Sequence, residues 1–285
     1  MKNTQLWLVG ANTEINLQDP ARSYYLKPPL EGLTGLPDLR VAEGSNVGKD
    51  GGWTGNGLFD PRFISAVVQI ANADVAIVEQ RRRELGTLLA EQTLFLRYVT
   101  EGGSTYSTKV RLLAAPAPLE QLLTKVTYKI NLKADDPLLY DYDSEGGEIV
   151  ATINVRQLTG GFPINFTFPL LISGGSQSQQ VLNAGTSTVA PIIKLYGPLH
   201  EPTVVNMSTN QQMQILTDLG EDDVVTINTA LGTITLNGLD IYHLKSDEST
   251  FIEINAGIND MYLTSEIGGD GGYAEIKYNS GFIAT

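Results

Sequence analysis

The stretch ADDPLLYDYD, residues 134–143, separates two parts of the chain that differ in charge and in patterning. Residues 1–134 contain 15 Lys and Arg against 13 Asp and Glu, a net charge of +2, whereas residues 135–285 contain 4 against 19, a net charge of −15. Each part has the length of an ordinary domain core. We therefore predict a domain over residues 1–140 and a second over residues 141–285.

The first part contains a glycine-rich segment, RVAEGSNVGKDGGWTGNG at 40–57, whose composition is typical of a loop. The next segment, FDPRFISAVVQIA at 59–71, has the β-branched and aromatic content of a strand. We expect Phe63, Val67 and Ile70 to be its buried residues.

A helix is predicted after this strand, over about residues 75–92, with Asp74 as its N-cap. Val78, Leu85 and Leu89 fall on one helical face, at spacings of seven and four. No helix is needed to explain the patterning after about residue 125.

Strands are predicted over 93–100 and 108–115, joined by the hairpin loop EGGSTYS. A further strand is predicted within TKVTYKINLKADDP at 124–137, whose apolar residues alternate with lysines and an asparagine: Val126, Tyr128, Ile130 and Leu132 with Lys125, Lys129, Asn131 and Lys133. The fold class expected for the first part is a β-rich domain with one α-helix.

The second part has a turn signal every 8 to 12 residues, which is typical of a β-sandwich. At least nine candidate strands follow this spacing, among them FPINFTFPLLI at 162–172, TFIEINAG at 250–257 and the hairpin VVTINTALGTITLNG at 224–238. In that hairpin we expect Val225, Ile227, Ile234 and Leu236 to face the core.

The composition leaves little room for catalytic or metal chemistry. There are no cysteines and only two histidines, so thiolate metal sites, disulfides and thiol nucleophiles are excluded. We expect no cofactor, no metal and no enzymatic activity. The net charge of −13 argues against tight binding to a phosphate backbone. No apolar run has the length of a membrane span or signal peptide, so we expect no membrane insertion and synthesis in the cytoplasm.

Three acidic or glycine-rich motifs are better explained as ordinary turns than as calcium, catalytic or phosphate-binding sites. Asp141, Asp143 and Glu145 begin like a calcium loop, but the position that should close the loop holds Thr152. Asp222 and Asp223 are adjacent, so on a strand they would point to opposite faces and could not flank one glycosidic bond. GGDGG at 268–272 lacks the residues of a phosphate loop.

Carbohydrate binding usually depends on exposed aromatic rings, and both tryptophans, Trp7 and Trp53, lie in the first part of the chain. The tyrosines of the second part lie in or beside predicted strands, where cross-strand packing is the expected role. Two alternatives stay open: a carbohydrate-binding module of a host-adhesion device, and a cell-wall glycosidase.

Arg81, Arg82 and Arg83 form the one basic run. Three consecutive helical positions spread around the helix, so they cannot form a single nucleic-acid-reading edge. They indicate either a solvated helix face or ion pairs with a neighbouring subunit.

Several phrases, in order, resemble one protein family. In the first part these are the DGG loop at 50–52 leading into the strand, the helix with RRRELGTLL, and LKADDPLLYD at 132–141. In the second they are VLNAGTSTVAPIIKLYGPLHEPTVVN at 181–206, LNGLDIYHL at 236–244, and INAGINDMYL at 254–263 with its Gly257 and Asn259. In this order the phrases are similar to those of distal tail proteins, the hub components at the tip of long non-contractile bacteriophage tails.

The resemblance implies a hexameric ring of N-terminal domains around a channel that DNA crosses without specific binding, with galectin-like β-sandwich domains outside. It implies a virion structural protein at the distal end of a siphophage tail. Implied partners are five further copies, with back-to-back rings in isolation, the major tail tube protein, the tail-associated lysin or tail-fibre hub protein, and a receptor-binding protein. Arg81, Arg82 and Arg83 are our candidates for the ring interface.

Overall fold

The computed structural model describes residues 5–141, 149–155, 178–265 and 271–284. The chain divides into two compact units: the first combines Met1–Glu145 with Phe282–Thr285, and the second is Gly146–Gly281. The last four residues thus cluster with the first unit, although the predicted second domain runs to residue 285. Phe282 packs edge-on against Tyr106, with ring centroids 5.1 Å apart.

Among its described residues, the first unit is built from one large branched sheet, two separate two-stranded sheets and a single α-helix. Its strands are β1 Gln5–Val9, β2 Glu14–Asn16, β3 Tyr24–Glu31, β4 Leu39–Arg40, β5 Glu43–Ser45, β6 Gly52–Thr54, β7 Leu58–Phe59, β8 Arg62–Ala71, β9 Leu94–Val99, β10 Thr105–Leu112, β11 Pro118–Leu122, β12 Lys125–Ala134 and β13 Leu139–Asp141. The helix is α1, Val75–Leu89, and a short 3-10 turn spans Pro20–Arg22. The sheet order is β2-β1-β9-β10-β12-β8-β3, with β11 also paired to β12 and β13 to β10.

The helix begins and packs as its sequence predicts. The Asp74 side chain accepts a hydrogen bond from the backbone N–H of Ala76, which satisfies one free donor of the first turn. The buried residues of α1 are Val78, Leu85, Leu88 and Leu89, and they join the apolar core formed by the sheet. The helix ends at Leu89, slightly earlier than the predicted end at residue 92.

The burial pattern of β8 differs from the prediction by one residue. Phe63 is 51% exposed, whereas Ile64 and Ile70 are buried. Residues 63 and 67 share one face of a strand and residue 70 lies on the other, so the three predicted core residues could not all point inward. Because the even-numbered side chains of β8 point into the core, the guanidinium of Arg62 is buried there.

Arg62 is 1% exposed, and its hydrogen bonds within the described residues go to backbone carbonyls. Its Nη1 donates to the carbonyls of Gly32 and Gly35, at 2.8 and 2.9 Å. Its Nε donates to the carbonyl of Pro137 at 3.0 Å, and its Nη2 to that of Ile283 at 2.5 Å. Burial lowers the pKa of Arg62. One side chain therefore joins three separate segments of the first unit.

The segment predicted as a loop at 40–57 contributes to two short antiparallel strand pairs. Strand β4 pairs with β7 and β5 pairs with β6, and each pair forms a two-stranded sheet of its own. A hydrogen bond from the Asp60 N–H to the Asp38 carbonyl, 2.8 Å long, closes the base of this ribbon. We call residues 38–60 the arm. The loop prediction missed these strands because each is only two or three residues long.

The second unit holds two antiparallel sheets. Its strands are β14 Ile149–Asn154, β15 Gln179–Asn183, β16 Ile192–Tyr196, β17 Leu199–His200, β18 Thr203–Asn206, β19 Gln211–Gln214, β20 Asp218–Leu219, β21 Val224–Asn228, β22 Thr233–Leu236, β23 Leu239–Asp240, β24 Gly257–Thr264 and β25 Tyr273–Tyr278, and β26 Gly281–Phe282 spans its end. The sheet orders are β14-β25-β16-β21-β22-β23 and β15-β24-β18-β19, with β17 and β20 forming a further pair. The predicted mainly β class, with one helix in the first part and a β-sandwich in the second, is confirmed.

The predicted hairpin is β21 and β22, with Val225 opposite Leu236 and Ile227 opposite Ile234. Three of the four expected core residues are fully buried, and Leu236 is half-buried. The candidate strand at 162–172, part of the acidic loop at 141–145 and part of the glycine run at 268–272 lie outside the described residues.

The segment predicted as a strand at 250–257 forms only an isolated bridge, between Ile254 and Val189, before β24 begins at Gly257. Buried asparagines bind its backbone instead. Asn206 donates to the carbonyl of Glu253 at 2.8 Å. Asn259 binds both backbone groups of Asn255, accepting from its N–H at 3.0 Å and donating to its carbonyl at 2.8 Å. Side-chain amides thus replace ladder hydrogen bonds that a strand would make here.

Substituting Arg62 tests how much this buried group stabilises the first unit. Arg62→Met keeps the length of the side chain but leaves four carbonyls without their donor, so we expect the free energy of unfolding to fall by about 3–5 kcal/mol. Urea denaturation measures this. Arg22→Met, at an arginine whose side chain is 61% exposed, is the matched control and should change stability by less than about 0.5 kcal/mol. Equal effects of the two substitutions would contradict the role assigned to Arg62.

Substituting Asn259 tests the amide network of the second unit. Asn259→Ala removes the partner of both Asn255 backbone groups, and we expect a loss of about 2–3 kcal/mol of unfolding free energy. The control is Asn154→Ala, on an exposed position of β14, where a change under about 0.5 kcal/mol is expected. Differential scanning calorimetry would show the first substitution lowering the melting temperature and the second leaving it nearly unchanged.

Candidate interaction surfaces

The three arginines of α1 lie at different positions around the helix, and each has its own partner. Arg81 Nη1 lies 2.6 Å from the Glu84 carboxylate, and Arg83 Nη2 lies 3.3 Å from that of Glu79. Arg82 Nε donates to the hydroxyl of Tyr128 at 3.0 Å. A helical step of about 100° per residue separates them in this way. The structure therefore does not bring the predicted interface residues together into one cluster.

Of the three arginines, Arg81 contributes most to the packing of its own unit. Its backbone carbonyl accepts a 3.0 Å hydrogen bond from the hydroxyl of the buried Tyr24. Burial, followed by the nearby charge of Glu84, raises the pKa of the Tyr24 hydroxyl above its ordinary value. Arg83, in contrast, is 79% exposed, although its ion pair lies on the same helix. A partner can therefore reach Arg83 without disturbing the core.

A furrow of about 430 Å³ runs beside α1, between the helix and the hairpin formed by β11 and β12. Its lining residues are Val75, Val78, Glu79, Arg82, Gln121, Leu122, Leu123 and Val126. A second depression, lined by Glu79, Arg82, Arg83 and Tyr128, shares residues with it. The furrow combines apolar walls with a guanidinium and a carboxylate.

The β11 side of the furrow is unusually open. All five residues of β11 are exposed. Leu119, Leu122 and Leu123 are 62%, 57% and 80% exposed. Contiguous exposed apolar surface is a feature of sites that bind other proteins, so this side of the furrow is a candidate interaction surface.

The acidic turn of the second unit has a local structural role. The Asp223 carboxylate accepts hydrogen bonds from the Gly220 N–H and the Asn237 side-chain amide, both 2.8 Å long. The Gly220 hydrogen bond is the main reason why the pKa of Asp223 lies below its ordinary value, and the Asn237 bond adds to it. Asp223 therefore stabilises the turn before β21, as its sequence position indicates. Within the described residues no group of three or more His, Asp or Glu side chains could hold a metal ion.

Two tyrosines of the second unit pack against each other. The rings of Tyr196 and Tyr273 are stacked, with centroids 4.6 Å apart, across the pairing of β16 and β25. The Tyr196 hydroxyl donates to Glu275 at 2.9 Å. Burial and this carboxylate raise the pKa of Tyr196. Cross-strand packing accounts for both rings.

Sequence patterning did not reveal three of these features. A basic residue at the start of a strand is ordinarily exposed, so nothing in the local sequence predicts that Arg62 is buried. The furrow depends on how α1 and β11 pack against β12, which periodicity does not encode. The exposure of the leucines around residue 120 had one signal in the sequence, the run LEQLL, which follows two prolines and has no clear helix or strand period.

No helix in the described part of the chain is long and apolar enough to cross a membrane.

Comparison with known proteins gives one family match and several structural matches. Residues 184–282 match the family model SPP1_Dit, described as siphovirus-type tail component, C-terminal domain. No curated protein matches the chain by sequence.

The fold as a whole is similar to that of the Dit protein (gp 19.1) of phage SPP1. The TM-score is 0.65 at 13% identity, and the match covers 97% of this chain and 98% of the other. Chains of the phage P2 baseplate also match in two activated structures. With Ca the TM-score is 0.53 at 13% identity over 96% of this chain and 98% of that one, and with Sr it is 0.52 at 14% over 96% and 97%.

Residues 184–282 are thus similar to the C-terminal domain of siphovirus-type tail components, and the fold of the whole chain is similar to that of a phage tail hub protein. The resemblance to phage distal tail proteins, the hub family of siphophage tail tips and baseplates, is thereby confirmed.

Proposed function

We propose that this chain forms a hexameric ring that serves as the hub at the distal end of a phage tail. In this role it joins the major tail tube protein to the tail-associated lysin or tail-fibre hub protein, and it presents a surface to a receptor-binding protein. The ring assembles in the host cytoplasm and remains in the virion. The protein performs no catalysis.

One observation carries the proposal: the chain matches the SPP1 Dit structure over 97% of its own length and 98% of that chain. The SPP1 protein is described as a paradigm of the hub adsorption apparatus in phages that infect Gram-positive bacteria. Because the match includes both units and leaves no large insertion on either side, the similarity extends to the whole chain rather than to one module of it.

The charge distribution supports an arrangement in which the first units form the ring. Residues 1–134 carry a net charge of +2, so copies of this part meet with little repulsion, whereas residues 135–285 carry −15. Six acidic second units are better separated from one another at the periphery than packed together. An overall acidic protein also suits a channel that DNA crosses, since few cations would hold the phosphate backbone.

The arginines of α1 remain candidates for the ring interface, but the three differ in how accessible they are to a neighbouring copy. Arg82 and Arg83 border the furrow or the depression next to it, and Arg83 is largely exposed. Arg81 supports the fold of its own unit through Glu84 and Tyr24. A closed ring requires a heterologous contact, in which each copy uses two different surfaces.

The solution mass of the purified protein tests the ring. Light scattering should give six times the chain mass of 30.8 kDa, or twelve times if two rings stack back to back. Negative-stain images of the same peak should show six-fold rings. A monomer at every concentration would contradict the proposed assembly.

Charge reversal at Arg83 tests the contribution of α1. Arg83→Glu changes an exposed side chain without touching the core, so the monomer should fold normally while the ring dissociates at a higher protein concentration than the wild type. Arg111→Glu is the control, because Arg111 is also exposed and paired with a nearby carboxylate, at 3.3 Å from Asp135. Sedimentation velocity over a dilution series distinguishes the two. If both variants behave like the wild type, Arg83 does not belong to the interface.

A further inference from the structure

The strands β3, β8 and β12 bring several cations to one face of the sheet in the first unit. The even-numbered side chains of β12 point mainly into the core, so its three lysines lie on the opposite face. Strand pairing adds neighbours to them: Val67 of β8 lies between Lys129 and Lys27 of β3, and Arg111 of β10 lies opposite Lys133. We call this surface the basic face, and its cations are Lys27, Arg111, Lys125, Lys129 and Lys133.

Three of these cations are partly compensated by carboxylates. The Nζ of Lys125 lies 2.6 Å from the Glu120 carboxylate. Asp135 is shared, with its carboxylate 2.8 Å from Lys133 Nζ and 3.3 Å from Arg111 Nε. Because two carboxylates pair with three cations, this part of the basic face keeps a positive charge.

The other two cations have no such partner. Lys27 and Lys129 are exposed, and neither forms an ion pair with a described residue. They lie in one row on either side of Val67, so together they span the three strands. Counting Glu31 at the end of β3 as a third carboxylate on this surface, five cations against three carboxylates give the basic face a net charge of +2.

Neutral hydrogen-bonding side chains occupy the rows next to the lysines. Gln69 lies opposite Thr127, and Ser65 lies opposite Asn131, in the pairing of β8 with β12. All four belong to positions that alternate with the buried residues of these strands. Amide and hydroxyl groups of this kind contact phosphate oxygens in protein–DNA complexes, together with lysine and arginine. The basic face therefore offers both charged and neutral donors to an anionic oxygen.

The kind of cation favours a phosphate backbone over an acidic protein surface. Lysine is depleted at the centre of protein–protein interfaces, whereas the uncompensated cations here are both lysines. An ammonium group on a flexible stem acts as a point charge and imposes no fixed geometry, in contrast to the bidentate contact of a guanidinium. Such a group can follow a phosphate that moves past it.

The acidic charge of the whole chain does not prevent a local contact of this kind. At physiological ionic strength exposed charges are largely screened beyond about 8 Å. The interaction of an anion with the basic face is therefore governed by the lysines next to it rather than by the net charge of −13.

We propose that the basic face is the surface through which this protein contacts the DNA backbone, weakly and without dependence on base sequence. The inference rests on the proposed function, which brings DNA into the ring, and it adds the surface that the DNA meets. Two uncompensated lysines in each copy give a contact that salt weakens readily, which suits DNA that has to move on.

Neutralising the two free lysines tests this contact. Fluorescence anisotropy with the full-length protein and a labelled DNA duplex of arbitrary sequence measures binding at about 50 mM salt. Wild-type protein should bind, and Lys27→Gln combined with Lys129→Gln should weaken binding by about tenfold. The matched control is Lys194→Gln combined with Lys277→Gln, which removes the same charge from partly exposed strand positions of the second unit and should bind like the wild type. Unchanged melting temperatures would show that both double variants fold.

The salt dependence gives a second readout, which a change of folding would not reproduce. Each lysine that contacts a phosphate contributes about one to the slope of the logarithm of the binding constant against the logarithm of the salt concentration. The slope should therefore be less steep by about two in the Lys27 and Lys129 double variant, and unchanged in the control.

Poly-L-glutamate distinguishes a phosphate backbone from an acidic protein surface. At equal charge concentration it should displace the labelled duplex much less effectively than unlabelled DNA does. Equal displacement would overturn the assignment to DNA, because the basic face would then accept carboxylates as readily as phosphates.

The remaining outcomes separate the contact from the ring. Wild-type protein that forms six-fold rings but does not bind the duplex at low salt would overturn the contact and leave the ring standing. Equal loss of binding in the two double variants would also overturn the contact, since the effect would then come from net charge alone. Protein that binds DNA through Lys27 and Lys129 but stays monomeric would support the contact and contradict the ring.

Discussion

The buried guanidinium of Arg62 is the constraint on which the arrangement of the first unit depends. A charge that is withdrawn from water must be compensated by well-oriented hydrogen bonds, and here four backbone carbonyls provide them. Those carbonyls come from residues before the arm, from the segment after β12 and from the C-terminal end of the chain. The solvation requirement of one side chain therefore fixes three segments that lie far apart in the sequence.

The position of Arg62 also explains how an exposed arm can start from an ordered base. Gly32 and Gly35, which accept from Arg62, precede the arm by a few residues. Gly32 adopts a positive φ of 82°, and a Cβ there would meet the carbonyl of Phe63, so a larger residue would force the chain away from β8. The ribbon beyond this point can remain exposed because its origin is fixed.

The second unit meets a comparable demand with neutral groups. Asn183, Asn206 and Asn259 are buried, and each binds backbone groups of segments outside the regular ladders. An amide carries two donors and an acceptor, so it can satisfy N–H and C=O groups of one segment simultaneously. The β-sandwich thereby accommodates an irregular connection before β24. Both units use buried polar side chains to bind backbone groups where strand pairing stops.

The sequence by itself determined the elements whose periodicity is local. The cap and buried face of α1, the strands β8, β9, β10 and β12, and the β21–β22 hairpin all follow from spacing and turn chemistry, because each depends on residues close in the chain. The ordered phrases along both parts of the chain, none of them diagnostic alone, together indicated the family. Tertiary structure alone decided that Arg62 is buried and Phe63 exposed, because a shift of one residue exchanges the two faces of a strand. It also decided that a furrow opens beside α1 and that Lys27 lies in one row with Lys129, since both require segments separated in sequence to pack against each other.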